Sequence, residues 1–325
     1  MKGDNVLLRS LRPAIAAAAA LFLGAALPAL GASPSGDALH PGAIHSSAVK
    51  AGNPHHRGGS ANLTYHGGTG GVAVETGADK VYLVYWGSQW NSNDPSGEAS
   101  LQQRFFDGVG GSSWNNSVTQ YCQGLASGTT TCGSNGMHAT NPAGLLGGVW
   151  YDNASAAASP PSSSQLAAEA VRAAAHFGNV AAGSNNTVQY VINTATGNSA
   201  SGFGSQYCAW HSSTSSNYGN IAFTNFPYQT DGGVGCGAGL VNSPGTKDGI
   251  TIVGGHEFAE TETDIFPRSG WLDGNGKENA DKCAWISSGH GASANVSLST
   301  GTFPVQSLWS NAFNSGAGGC VLSYP

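Results

Sequence analysis

Residues 248–260 read Asp248-Gly249-Ile250-Thr251-Ile252-Val253-Gly254-Gly255-His256-Glu257-Phe258-Ala259-Glu260. Ile250, Val253 and Phe258 recur at helical spacing behind Asp248, a residue suited to capping a helix that starts near Gly249. His256 and Glu260 are four apart and share a helical face, with Glu257 directly after the histidine. This is the His-Glu-x-x-His arrangement of zinc hydrolases with Glu in the last place. It predicts a helix on which His256 and Glu260 grip one zinc, while Glu257 acts as general base toward an attacking water. Gly254 and Gly255 are expected to leave room for close approach above the metal.

The residues that follow strengthen the metal reading. Only 9% of the chain is charged, with 18 acidic residues, yet seven of these lie in one short stretch: Glu257, Glu260, Glu262, Asp264, Asp273, Glu278 and Asp281. Such crowding is costly unless a cation, solvent or protonation relieves it. A zinc hydrolase needs a third protein ligand from a later segment. The turn-rich run from Gly270 to Cys283 offers Asp273, Glu278 and Asp281, with Cys283 as an anchor. Asp264 is expected to accept a hydrogen bond that orients His256 or a neighbour. The run Asp273 to Glu278 also looks like part of a calcium loop, although it lacks the full twelve-residue pattern.

Upstream, Val81 to Trp86 is an aromatic and β-branched run stopped by Gly87, which predicts a buried strand. Glu98 to Phe106 reads as a helix. A second helix follows Ser162, with Leu166, Ala170, Val171, Ala174 and Phe177 on one face and Gly178 at its end. Thr187 to Ile192 and Ile221 to Phe226 are β-rich, and the Gly- and Ser-rich chain between them reads as loop. No internal repeat is present.

The N-terminus carries Lys2, Arg9 and Arg12 before the apolar run Ala14 to Leu27 and then small residues, the order of a secretory signal ending near residue 32. A membrane anchor is the alternative, but Gly24 and Pro28 interrupt the run and leave it short of the roughly 20 residues a span needs. Residues 33–60 contain almost no large apolar side chains and read as a disordered linker or short pro-segment, with His40, His45, His55 and His56 solvated within it. The formal net charge is −6 with no basic cluster beyond the N-terminus, which argues against a nucleic-acid partner. Six cysteines in an exported chain imply disulfides, and proximity suggests Cys122–Cys132, Cys208–Cys236 and Cys283–Cys320. No Cys-x-x-Cys pair supports a thiolate metal site, and no Gly-x-Ser-x-Gly elbow supports a serine hydrolase.

Several blocks from Leu63 onward resemble the EXORDIUM / phosphate-induced protein family of extracellular proteins and its bacterial relatives. They are Leu63-Thr64-Tyr65-His66-Gly67-Gly68 with Val81 to Gly87, then Cys208-Ala209-Trp210-His211, Gly255 to Glu260, and Glu278-Asn279-Ala280-Asp281-Lys282-Cys283. Asn279-Ala280 replaces the family's Ile-Gly, and Ile265 stands where bacterial relatives often have Pro. The resemblance implies that the third ligand is Glu278 or Asp281 rather than Asp273. It also brings His211 toward the metal as ligand or electrophile, and His66 toward the same cleft.

The expected architecture is a single α/β or α+β zincin-like domain over residues 61–325, with a mixed sheet, a metal-bearing helix and disulfide staples. The expected function is a secreted zinc peptidase: catalytic Glu257 and His211, metal ligands His256, Glu260, Glu278 and Asp281, and an extracellular protein or peptide as substrate. The alternative is a non-catalytic extracellular or cell-surface protein in which the metal is structural.

Overall fold

The computed structural model describes residues 43–45, 62–198 and 200–324. Six strands form the main sheet: β1 (Ala43–His45), β2 (Lys80–Trp86), β3 (Leu146–Asp152), β4 (Val188–Thr194), β5 (Tyr207–Ser216) and β6 (Gly219–Phe226). Their order is β1-β5-β6-β4-β2-β3. The pairs β2–β3, β2–β4 and β4–β6 are parallel, while β5–β6 and β1–β5 are antiparallel. The sheet is therefore mixed.

Alternation along the strands sends buried side chains into two cores. Val81, Leu83 and Tyr85 of β2 join one, with Val191 of β4 and Phe226 of β6. Val84 and Trp86 join the other, with Tyr190, Ile192 and Phe223. Helices cover both faces. Helix α1 (Glu98–Val109) delivers Phe105, Phe106 and Val109 to the first core. Helix α2 (Ser163–His176) delivers Leu166, Ala170, Ala173 and Ala174 to the second. A full capping box starts α2: Ser162 Oγ accepts from the Gln165 amide, and the Gln165 side chain accepts from the Ser162 amide. Such caps contribute on the order of 1 kcal/mol.

Helix α3 (Asp248–Thr263) carries the residues quoted above, and all sixteen of its positions are buried. It lies between α1 and β5 on one side and the C-terminal strand Gly301–Val305 on another. A helix enclosed on every side needs no polar face. That enclosure is why ionisable side chains on α3 end up out of water.

All three proximity-predicted disulfides form, Cys122–Cys132, Cys208–Cys236 and Cys283–Cys320, and no described cysteine is free. Among the described residues no helix is long and apolar enough to cross a membrane. The signal reading of residues 1–32 falls outside the described residues. So does the linker reading, apart from Ala43–His45, which pairs with Tyr207–Trp210 as an edge strand and is not disordered.

Three further expectations are corrected. The chain between β4 and β6, read as loop, contains the ten-residue strand β5. Its Ser- and Thr-rich end has little strand signature, and the antiparallel ladder with β6 supplies the order. Asp248 does not cap its own helix. Its carboxylate instead accepts from the amides of Val241 and Asn242 and from the Asn242 side chain, tying down the preceding loop. Gly254 and Gly255 face aromatic rings. A methyl at 255 would meet Trp114 at 3.1 Å and Phe105 at 3.3 Å, and one at 254 would meet Phe226 at 3.7 Å.

Candidate metal centre

Four segments build the site. Helix α3 supplies His256, Glu257 and Glu260, β5 supplies His211, and the loop after the short strand Trp271–Leu272 supplies Glu278 and Asp281. Gln306, just beyond the strand Gly301–Val305, is the fourth contributor. The 278–283 loop is clamped onto the helix by three links. The Asp281 amide donates to Glu260 Oε1 at 3.0 Å, the Asn279 side chain donates to the Ala259 carbonyl at 3.1 Å, and Cys283 is bonded to Cys320.

Glu260 is the hub. Its Oε1 lies 2.9 Å from His256 Nε2, and its Oε2 lies 3.5 Å from His211 Nδ1. His211 Nδ1 is also 3.4 Å from Glu257 Oε2, while His211 Nε2 is 3.4 Å from Glu278 Oε1. The other nitrogen of His256, Nδ1, is 3.0 Å from Gln306 Oε1. The Gln306 amide nitrogen donates to the Ala280 and Ser307 carbonyls, so its oxygen is the acceptor for His256. That hydrogen bond places the proton on Nδ1 and turns Nε2 toward Glu260.

The expected single ligand set therefore divides into two three-residue groups sharing Glu260. One is His211, Glu260 and Glu278; the other is His256, Glu260 and Asp281, and within each group the candidate ligand atoms lie within 4.8 Å of one another. Glu278 faces His211 and Asp281 sits on the His256 side. Glu257 belongs to neither group.

Each ionisation state follows from burial set against the neighbouring charge. Burial opposes charge on both imidazoles, but Glu260 beside His256 outweighs it and raises that pKa to about 9. Glu278, Glu257 and Glu260 raise His211 well above its ordinary value in the same way. Glu260 stays ionised, its pKa held down to about 2 by the two imidazoles despite burial. Burial lifts Glu257 to about 7, moderated by His211 and His256, and lifts Glu278 and Asp281 as well.

Four carboxyl groups and two imidazoles thus share one cluster, in which Asp281 also lies 3.6 Å from the Lys277 ammonium. His211 Nε2, His256 Nε2, Glu260 Oε2 and Glu278 Oε1 lie within 2.9–3.5 Å of oppositely charged groups but make no hydrogen bond of good geometry. Either group offers one nitrogen and two carboxylate oxygens, a donor set that fits zinc. Buried ligand atoms without hydrogen-bond partners are what a divalent cation satisfies.

Other expected participants lie elsewhere. His66 is exposed, with its Nε2 3.3 Å from Thr64 Oγ1, and does not line the cluster. Asp264 orients no histidine. Its carboxylate accepts from the amides of Arg268, Ser269 and Gly270 and closes the turn after α3. Asp273, the core of the calcium-loop reading, has one oxygen on the Asn275 and Lys277 amides and the other on the Lys282 ammonium. Gln306 was missed, because an isolated Gln beyond an apolar strand carries no signal in sequence.

No family model, no curated protein and no solved structure matches this chain.

Proposed function

We propose that the chain is a secreted metal-dependent hydrolase, a zinc peptidase of the EXORDIUM-like kind its motifs resemble. The observation that carries this reading is the convergence of His211, Glu257, Glu260 and Glu278 within 3.5 Å contacts in one buried cluster, with Glu257 left outside both ligand groups. Glu260, with His256 and Asp281 or with His211 and Glu278, would hold the zinc. When bound, zinc supplies Lewis-acid polarisation of the scissile carbonyl. Glu257 accepts the proton of the attacking water and returns it to the leaving amine, a task suited to a carboxyl whose pKa sits at about 7. The imidazole of His211, against Glu257 Oε2, orients that carboxylate. Three disulfides and the signal-like N-terminus support export into an oxidising compartment, which makes an extracellular peptide the substrate class.

A second reading has an observation of its own. His211, Glu257, Glu260 and Glu278 are each at most 1% exposed, as a structural metal closed off from substrate would require. Zinc content and hydrolysis of a mixed peptide library, measured on wild type and Glu257→Gln, separate the two. The peptidase reading expects about one zinc in both proteins and hydrolysis in wild type alone. Zinc in both with hydrolysis in neither favours the structural metal, and no zinc in either overturns both.

A further inference from the structure

Two residues beyond Glu260 on α3, roughly 200° around the helix, Glu262 leaves the His211 cluster and enters a different one. There it meets Glu75, from the chain before β2, and Asp79, the residue preceding that strand. Candidate ligand oxygens of the three carboxylates lie within 4.8 Å of one another. Glu75, Asp79 and Glu262 are 1%, 0% and 0% exposed, so water does not screen them. Among the described residues no Lys, Arg or His is paired with any of them. Lys80, next in sequence to Asp79, spends its ammonium on the Gly144 carbonyl.

Two neutral side chains complete the arrangement. Asn115, wholly buried, donates its Nδ2 to Glu262 Oε1 at 3.0 Å and leaves its Oδ1 without a partner. The buried amide of Gln189, at the start of β4, sits beside Glu75 with its Oε1 likewise unpartnered. Glu75 Oε1 and Oε2, Asp79 Oδ1 and Glu262 Oε2 are four buried carboxylate oxygens without a hydrogen bond of good geometry. Glu262 also lies in the last turn of α3, where the helix dipole repels an anion and attracts a cation.

We infer that Glu75, Asp79 and Glu262, flanked by the side-chain amides of Asn115 and Gln189, form a calcium site. The donors are all carboxylate oxygen, the hard set that favours Ca²⁺ or Mg²⁺ over zinc, and three protein carboxylates, with both Glu75 oxygens unpartnered, suit calcium better than the water-rich shell of magnesium. The ion pins the segment before β2 to the end of α3. Backbone bonds already trace that path, with the Glu75 amide donating to the Glu262 carbonyl and the Thr140 amide donating to the Glu75 carbonyl. This site does not depend on the peptidase reading.

The test uses the full mature chain, stripped with chelator and resupplied with zinc, then titrated with calcium by calorimetry and followed by thermal unfolding. Wild type is expected to take up one further ion per chain and to melt higher as calcium rises, while magnesium does so at least tenfold more weakly. Glu75→Gln should weaken calcium binding about tenfold or more, leaving zinc content unchanged. It should also cross over in stability: below wild type in calcium, above it in chelator, because neutralising a repelled carboxylate helps only when no ion is bound. The site is refuted if wild type takes up no calcium at millimolar concentration, or if Glu75→Gln shifts melting equally with and without calcium.

Discussion

His256 Nε2 lies 2.9 Å from Glu260 Oε1, one turn further along α3, while Oε2 of the same carboxylate faces His211 on β5. Glu260 is thus common to both candidate ligand groups, and each histidine faces a different one of its two oxygens. Glu260→Ala is expected to abolish zinc binding whichever group holds the ion. Of His211→Ala and His256→Ala, the one that removes a ligand should abolish binding, and the other should weaken it about 10–100-fold by losing the partner that orients Glu260. A histidine variant with wild-type zinc affinity would remove that residue from the centre.

The adjacent glycines of α3 should respond to alanine with opposite signs. In a helix, Gly→Ala gains about 1 kcal/mol of propensity. At Gly254 the new methyl makes ordinary contact with Phe226 at 3.7 Å, so Gly254→Ala should stabilise by up to that amount. At Gly255 it presses on Trp114 and Phe105 at 3.1 and 3.3 Å. Overpacking of this kind costs about 1–3 kcal/mol, so Gly255→Ala should be destabilising on balance. Denaturant unfolding of both variants checks the pair, and equal shifts would contradict it.

Glu98, at the first turn of α1, gives a pH dependence away from the His211–His256 cluster. Burial raises its pKa from 4.5 to about 8, against hydrogen bonds from the Gln229 and Thr230 amides, with Asp94 and Asp231 adding to the rise. Between those values the folded chain binds a proton that the unfolded chain has released. Its contribution to stability is therefore present at low pH and lost as pH rises to about 8. Glu98→Gln keeps an acceptor for the Gln229 amide and removes the titration. The fall in melting temperature between about pH 5 and 8 should be shallower in the variant than in wild type; identical slopes would show that Glu98 is not the group responsible.

The Cys283–Cys320 bridge closes 37 residues beside Asp281 and anchors the loop that carries the candidate ligands Glu278 and Asp281. Replacing both cysteines with alanine should cost about 2–4 kcal/mol and also weaken zinc binding. Removing Cys122–Cys132, neither of whose cysteines lies in the 278–283 loop, should cost stability alone. Equal zinc affinity in the two double variants would separate the loop anchor from the metal centre.

The sequence by itself placed the strand at Val81 to Trp86, the helices at 98, 163 and 248, and all three disulfides, because each rests on local periodicity, capping or closeness along the chain. It also singled out His256, Glu257 and Glu260 by their spacing and by acids concentrated in a charge-poor chain, while the family resemblance pointed to His211, Glu278 and Asp281. Only the tertiary structure decided how these residues divide. The polar strand β5 exists because β6 pairs with it, and that pairing carries His211 to the side of Glu260 where Glu278 waits. Glu75 and Asp79 gave no warning either: two acids ahead of a strand look solvated until the fold buries them against Glu262. Spacing fixes which residues share a helix face; which distant oxygens meet across that face is set by the packing that excludes water from it.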